Sequence, residues 1–209
     1  MDIETLLSVM EDEAKRRKAP VYTLKKKTTD PFRVLVSAIL STRTRDEQTA
    51  AVAERLFKDV KSFGDLKKID EEELAELIRG VGFYRNKARI LKSLAEELDG
   101  KEIPDSLDEL IKLPGVGRKV ANIVLSEVFG KDVIAVDTHV HRIANRLGIV
   151  STKTPEETEM ELMKRVPEGS RRRINKAFVG YGQTVCRPQK PLCRECRISN
   201  MCRYYFRNL

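Results

Sequence analysis

The chain has 209 residues, 41% hydrophobic and 34% charged, which is enough apolar matter for one good core or two modest ones. No run of about 18 apolar residues occurs, so no membrane-spanning helix is expected. The net charge of +8 is uneven: residues 164–209 hold twelve Lys/Arg against two Asp/Glu, and the first 163 residues are slightly acidic. A basic surface without an amphipathic anchor argues against a membrane partner and for DNA or RNA. The start Met1-Asp2-Ile3-Glu4 is acidic where a secretion signal is basic, so an intracellular, cytoplasmic protein is expected.

In chain order, apolar residues recur at helical spacing nearly throughout, and no alternating strand pattern is found. Helices are predicted over residues 2–18, 30–40 (opened by Asp30-Pro31), 46–57 (capped by Asp46), 70–78, 86–98 and 106–113. Four more follow over 118–129, 137–147, 155–166 and 172–184. The expected fold class is all-α with short connections. The segment Leu74-Ala75-Glu76-Leu77-Ile78-Arg79-Gly80-Val81-Gly82 echoes the stretch from Leu107 to Gly117, which has two extra residues. A pair of hairpins gripping one backbone and a chance likeness of two amphipathic helices ending in glycine are both compatible with this echo.

The turn before helix 118–129 carries the strongest chemical signal. In Leu113-Pro114-Gly115-Val116-Gly117-Arg118-Lys119-Val120-Ala121, a Gly-x-Gly turn opens directly into a helix. Backbone N–H groups at such a start form a site for phosphate. Lys119 falls in the first turn, where the positive end of the helix dipole disfavours its ammonium form. A lysine that gives up its proton beside a phosphate site suggests amine chemistry on a nucleic acid; a solvated phosphate contact is the plainer alternative. Eighteen residues on, Val136-Asp137-Thr138-His139 places one acid after an apolar stretch, as a helix cap or as a catalytic carboxylate.

All four cysteines, Cys186, Cys193, Cys196 and Cys202, fall in the last 24 residues, spaced C-x6-C-x2-C-x5-C. Disulfides do not suit an intracellular chain. A four-cysteine zinc site generally uses two C-x2-C pairs, and only Cys193 and Cys196 make one. The uneven spacing favours a [4Fe–4S] cluster over zinc. Arg187, Lys190, Arg194, Arg197 and Arg203 lie among these cysteines, where cations offset the negative cluster and outward ones can meet phosphates.

Hairpin, aspartate and cysteine loop in this order, together with Leu40-Ser41 and Asp46, resemble the endonuclease III family of helix-hairpin-helix DNA repair glycosylases over nearly the full length. The resemblance implies two helical lobes. Residues 23–134 would be a six-helix lobe with the hairpin, and residues 1–22 with 135–209 a lobe carrying the cluster loop at 186–202. Lys119 and Asp137 would then meet at the cleft between the lobes. It implies a bifunctional glycosylase and abasic-site lyase for oxidised pyrimidines. Lys119 would attack the sugar C1′ and form a Schiff base, and β-elimination would cut the strand 3′ to the lesion. Asp137 would assist deprotonation of Lys119 and stabilise charge on the sugar.

The same resemblance gives the hairpin residues Leu113, Gly115, Val116, Gly117 and Arg118 a DNA-binding role, and Arg187 and Arg194 phosphate contacts. His139 would order the pocket or contact phosphate, or simply occupy a helix face. Phe83 occupies the loop where the family inserts an apolar wedge into the stack. Arg43 stands where the family commonly has glutamine, which alters the opposite bases favoured. The implied partner is double-stranded DNA with a damaged base or abasic site, bound by a monomer in the nucleoid. A mismatch-type monofunctional glycosylase is the nearest alternative, although such enzymes tend to lack the hairpin lysine. A non-catalytic hairpin DNA-binding protein is the other, and it would need neither Lys119 nor Asp137.

Overall fold

The computed structural model describes residues 2–24 and 28–207, and the chain divides into two compact units. One comprises Met1–Thr23 with Asp132–Leu209, the other Leu24–Lys131. The described residues are helical, with no strand among them.

The continuous unit contains α3 (Pro31–Leu40), α4 (Asp46–Asp59), α5 (Phe63–Lys68), α6 (Glu71–Leu77), α7 (Tyr84–Leu98), α8 (Leu107–Leu110) and α9 (Arg118–Glu127). All six helices predicted here form, and α5 is an addition. Its only buried side chains are Phe63 and Leu66, too few to register as a periodic pattern. Ser62 starts it by accepting from Asp65 N–H, while Asp65 accepts from Lys61 N–H at 3.0 Å. Phe32 of α3 meets Phe57 and Phe63 edge-on, with ring centroids 5.8 and 5.0 Å away. Helix α7 buries one stripe, Lys87, Ala88, Leu91, Leu94, Ala95 and Leu98, in which a lysine takes an apolar place.

The other unit contains α1 (Ile3–Arg16), α2 (Pro20–Thr23), α10 (Thr138–Leu147), α11 (Pro155–Arg165), α12 (Arg171–Thr184) and the short α13 (Arg203–Arg207). Its core joins Leu6, Leu7 and Met10 of α1 to Val140, Ile143 and Leu147 of α10 and to Ile174, Phe178 and Tyr181 of α12. Helices α1 and α12 approach closely because Gly180 has no side chain: a Cβ there would stand 2.9 Å from Ala14 Cβ and 2.6 Å from Tyr22 Cε2. Glu13 of α1 is fully buried and accepts from Arg16 at 2.6 Å and from Arg17 at 2.6 Å. Arg17 also reaches Glu195 at 2.7 Å, tying α1 to the cysteine segment.

Candidate active site

The Gly-x-Gly turn is built by steric demand at one glycine and by openness at the other. Gly115 has φ +72°, and a Cβ there would strike Ile90 Cγ2 at 2.3 Å, so only glycine fits. Gly117, the N-cap of α9, has extended φ and ψ of −89° and 174°, and a Cβ on it would meet nothing within 4 Å. The protein itself does not demand glycine there; its absent side chain leaves the start of α9 uncapped. Leu113 and Val116 are buried, so a contact from them to DNA would run through backbone. Arg118 and Lys119 are half-buried in the first turn of α9.

Lys119 Nζ lies 3.4 Å from Ser41 Oγ, and Ser41 in turn donates to Ala38 O at 2.8 Å. The structure thus brings the hairpin lysine to the end of α3. Two further predicted residues flank that end. Arg43 is exposed with φ 51°, and its guanidinium carbon sits 5.4 Å from the ring centre of Phe83. Phe83 has φ 57° and is 62% exposed. Sequence reasoning missed Lys87, whose Nζ donates to Leu40 O and Thr42 O beneath the same turn. Burial, and then the charge of Lys119, push its pKa down to about 8. The signal was a lysine in register with Leu91, Leu94 and Leu98 on a buried face.

Asp137 lies in the other unit, as the N-cap of α10. Its Oδ1 accepts from His139 N–H and Val140 N–H, each at 2.9 Å, and leaves Oδ2 outside the capping bonds. Two backbone donors at the helix start give this half-buried carboxylate a fixed direction. His139 turns its ring inward: Nδ1 lies 3.2 Å from Arg142 Nη2, and a Cβ on Gly182 of α12 would stand 2.3 Å from Nδ1. This packing gives the ring a structural task.

The four cysteines line one cavity with Tyr181, Leu192, Ile198 and Tyr204, and none is in a disulfide. Among the described residues no group of three or more His, Cys, Asp or Glu is placed to hold a metal ion, and the four thiols line the same cavity. The donor set suits a multi-atom group. Arg146 Nη1 donates to Cys186 Sγ at 3.5 Å, and the Tyr181 hydroxyl lies 3.2 Å from Cys196 Sγ. Burial pushes the thiols of Cys193 and Cys202 up, so holding them as thiolates takes a cationic centre. Arg142 donates to Cys186 O at 2.9 Å and Arg146 to Arg187 O at 2.7 Å, which fastens the loop to α10. Arg187, Lys190, Arg194, Arg197 and Arg203 are exposed, as phosphate contacts require.

Residues 36–168 match the model of the HhH-GPD superfamily of base excision DNA repair proteins. The chain is 52% identical over 185 residues to endonuclease III of Thermotoga maritima, covering 87% of this chain and 86% of that one. The chain belongs to the endonuclease III family. Solved structures agree with that membership. A non-covalent endonuclease III–DNA complex superposes with a TM-score of 0.86 at 34% identity, over 99% of this chain and 96% of that one. A trapped endonuclease III–DNA covalent intermediate superposes with a TM-score of 0.85 at 33% identity, over 100% and 99%.

Proposed function

We propose that this base-excision repair enzyme, a DNA glycosylase and abasic-site lyase by family, removes oxidised pyrimidines with Lys119 as nucleophile and Asp137 as its charged partner. A damaged base in a duplex must first leave the stack, at a cost of a few kcal/mol. The Lys119 amine then attacks C1′; the glycosidic bond breaks, and its electron pair leaves with the base. The amine sheds a proton in this step, a loss that the Asp137 carboxylate would assist. The sugar ring opens to an imine between Lys119 and C1′. That imine acidifies C2′, and loss of the C2′ proton expels the 3′ phosphate as the C3′–O bond breaks. Asp137 also stabilises positive charge as it develops on the sugar.

The observation that supports this reading most is Lys119 itself. It stands in the first turn of a helix with no side-chain cap, with a second lysine charge bearing on the same site. Such a setting puts the amine at the open, positive end of the helix, where a phosphate can be held beside it. Duplex DNA is held through the open start of α9, and through Arg187 and Arg194 on the cysteine loop. Cys186, Cys193, Cys196 and Cys202 would hold a [4Fe–4S] cluster, supported by the shared cavity and the arginines around it. When bound, such a cluster supplies a rigid cross-link with redox capacity of its own. The enzyme acts as a monomer on DNA inside the cell; among the described residues no helix is long and apolar enough to cross a membrane.

The decisive experiment is borohydride trapping on a duplex with an abasic site. The wild type forms a covalent adduct and Lys119→Gln forms none, while the variant still binds the duplex because phosphate contacts come from other groups. An adduct on the glutamine variant would move the nucleophile elsewhere.

A further inference from the structure

Helix α7 carries a charged residue that the reaction above leaves without a task. Lys87 is 3% exposed, and its Nζ donates to Leu40 O at 2.7 Å, Thr42 O at 2.6 Å and Thr44 Oγ1 at 3.0 Å. Leu40 ends α3, so the ammonium caps the negative end of that helix. The same Thr44 hydroxyl accepts from Gly82 N–H at 3.0 Å. One ammonium and one hydroxyl therefore tie the turn at 41–45 to the turn at 80–83. The approach is tight, since a Cβ on Gly82 would stand 2.6 Å from Arg43 O.

Each tied turn holds a non-glycine residue in the left-handed region, Arg43 at φ 51° and Phe83 at φ 57°. Such backbones persist only where the surroundings over-determine them, and they cluster at functional sites. Here they aim a cation and an aromatic ring at each other while the ring stays 62% exposed. Lys92, five residues along α7, sharpens the point. It donates in the same way to Lys67 O at 2.7 Å and Ile69 O at 2.6 Å at the end of α5, yet it is only half-buried. No left-handed non-glycine residue lies in that turn. Capping a helix does not require burying the lysine; the site at 41–45 does so, beside Lys119.

We propose that Lys87 is a positioning residue, locking the two turns so that Arg43 and Phe83 form one preassembled cation–aromatic surface that fills the stack when a nucleotide leaves it. The proposal rests on the base-flipping reading above. Preassembly matters because a filler already ordered in the free protein loses no further freedom on binding. The clamp also has a pH limit. Lys119 on α9 is the charged group that bears on Lys87, and the other groups it faces are carbonyls and the Thr44 hydroxyl. A neutral amine has two protons for three acceptors, so the clamp slackens as pH rises through about 8.

The test is the ratio of dissociation constants for undamaged duplex and for duplex carrying a reduced abasic-site analogue. Lys87→Met should fold and lose about tenfold in that ratio, roughly 1.4 kcal/mol. Phe83→Ala should lose a similar factor, and the double variant no more than Phe83→Ala alone. The wild-type ratio should decline above pH 8, while the methionine variant's ratio stays flat. Thr44→Val keeps the charge and removes the shared acceptor; it should lose part of the ratio even if Lys87→Met fails to fold. A folded Lys87→Met with the wild-type ratio, or losses that multiply in the double variant, would overturn the proposal. If Phe83→Ala alone leaves the ratio unchanged, the wedge and its clamp fall together. Failure of the Lys119 chemistry is separate, because it appears as absent trapping in the wild type.

Discussion

Each unit buries a charged side chain almost completely, and the two are treated in opposite ways. Glu13 is fully buried beside Arg16 and Arg17, and hydrogen bonds from Arg16 first hold its carboxyl down at about 2. Lys87 is 3% exposed among neutral acceptors, with Lys119 as its charged neighbour, and is pushed down to about 8. In the first case folding stabilises the charge; in the second it works against it. A charge with its opposite partner needs no function to explain it. A charge kept under repulsion does, and the one so kept lies in the unit that carries the proposed nucleophile.

Asp137 stands between these cases, held by two backbone donors rather than by a buried cation, and it gives the largest effect expected from breaking the contrast. Asp137→Asn retains a side chain able to cap α10, so folding should change little. Single-turnover excision should fall by about 10²-fold or more, because the lost charge is the one needed in the transition state. Near-normal excision with a lower melting temperature would reduce Asp137 to a cap.

Glu13 tests the structural side. Its folded pKa lies below the usual 4.5, so its stabilisation is fully present above pH 4.5 and is lost as pH falls toward 2. Glu13→Gln should destabilise the protein by about 1–3 kcal/mol at pH 7. It should also flatten the acid limb of the melting curve, with the single-turnover rate unchanged. A variant whose stability keeps the wild-type slope between pH 4.5 and 2 would show that the pair does not control acid lability.

The helices were legible because their apolar stripes are long, and the hairpin and cysteine loop because glycine and cysteine carry chemistry in their spacing. Helix α5 was not, since two buried residues make no period. Nor was the start of α7 at Tyr84, two residues earlier than the pattern suggests, because it follows a left-handed Phe83 that no propensity predicts. Lys87 looked like an ordinary charge because the two carbonyls and the hydroxyl that receive it are 43 to 47 residues away in sequence. Gly182 likewise has meaning only once α12 is laid against His139.

The smallest effect tests the two helix starts that frame the chemistry. Helix α10 is closed by the Asp137 carboxylate, and α9 begins at Gly117 with no side-chain cap. The backbone at Gly117 is extended, and a Cβ there meets nothing within 4 Å, so Gly117→Asp fits without strain. Aspartate should cap α9 as Asp137 caps α10 and stabilise the fold by about 0.5 kcal/mol. The same carboxylate would occupy the place kept for a phosphate and repel it. Affinity for damaged and undamaged duplex should therefore fall by similar factors, about tenfold, since a backbone contact carries no lesion information. Borohydride trapping at saturating enzyme should persist, because the Lys119 amine remains. A variant that gains stability and keeps its affinity would show that the open start of α9 is not a phosphate site, and that glycine there serves some purpose other than admitting DNA.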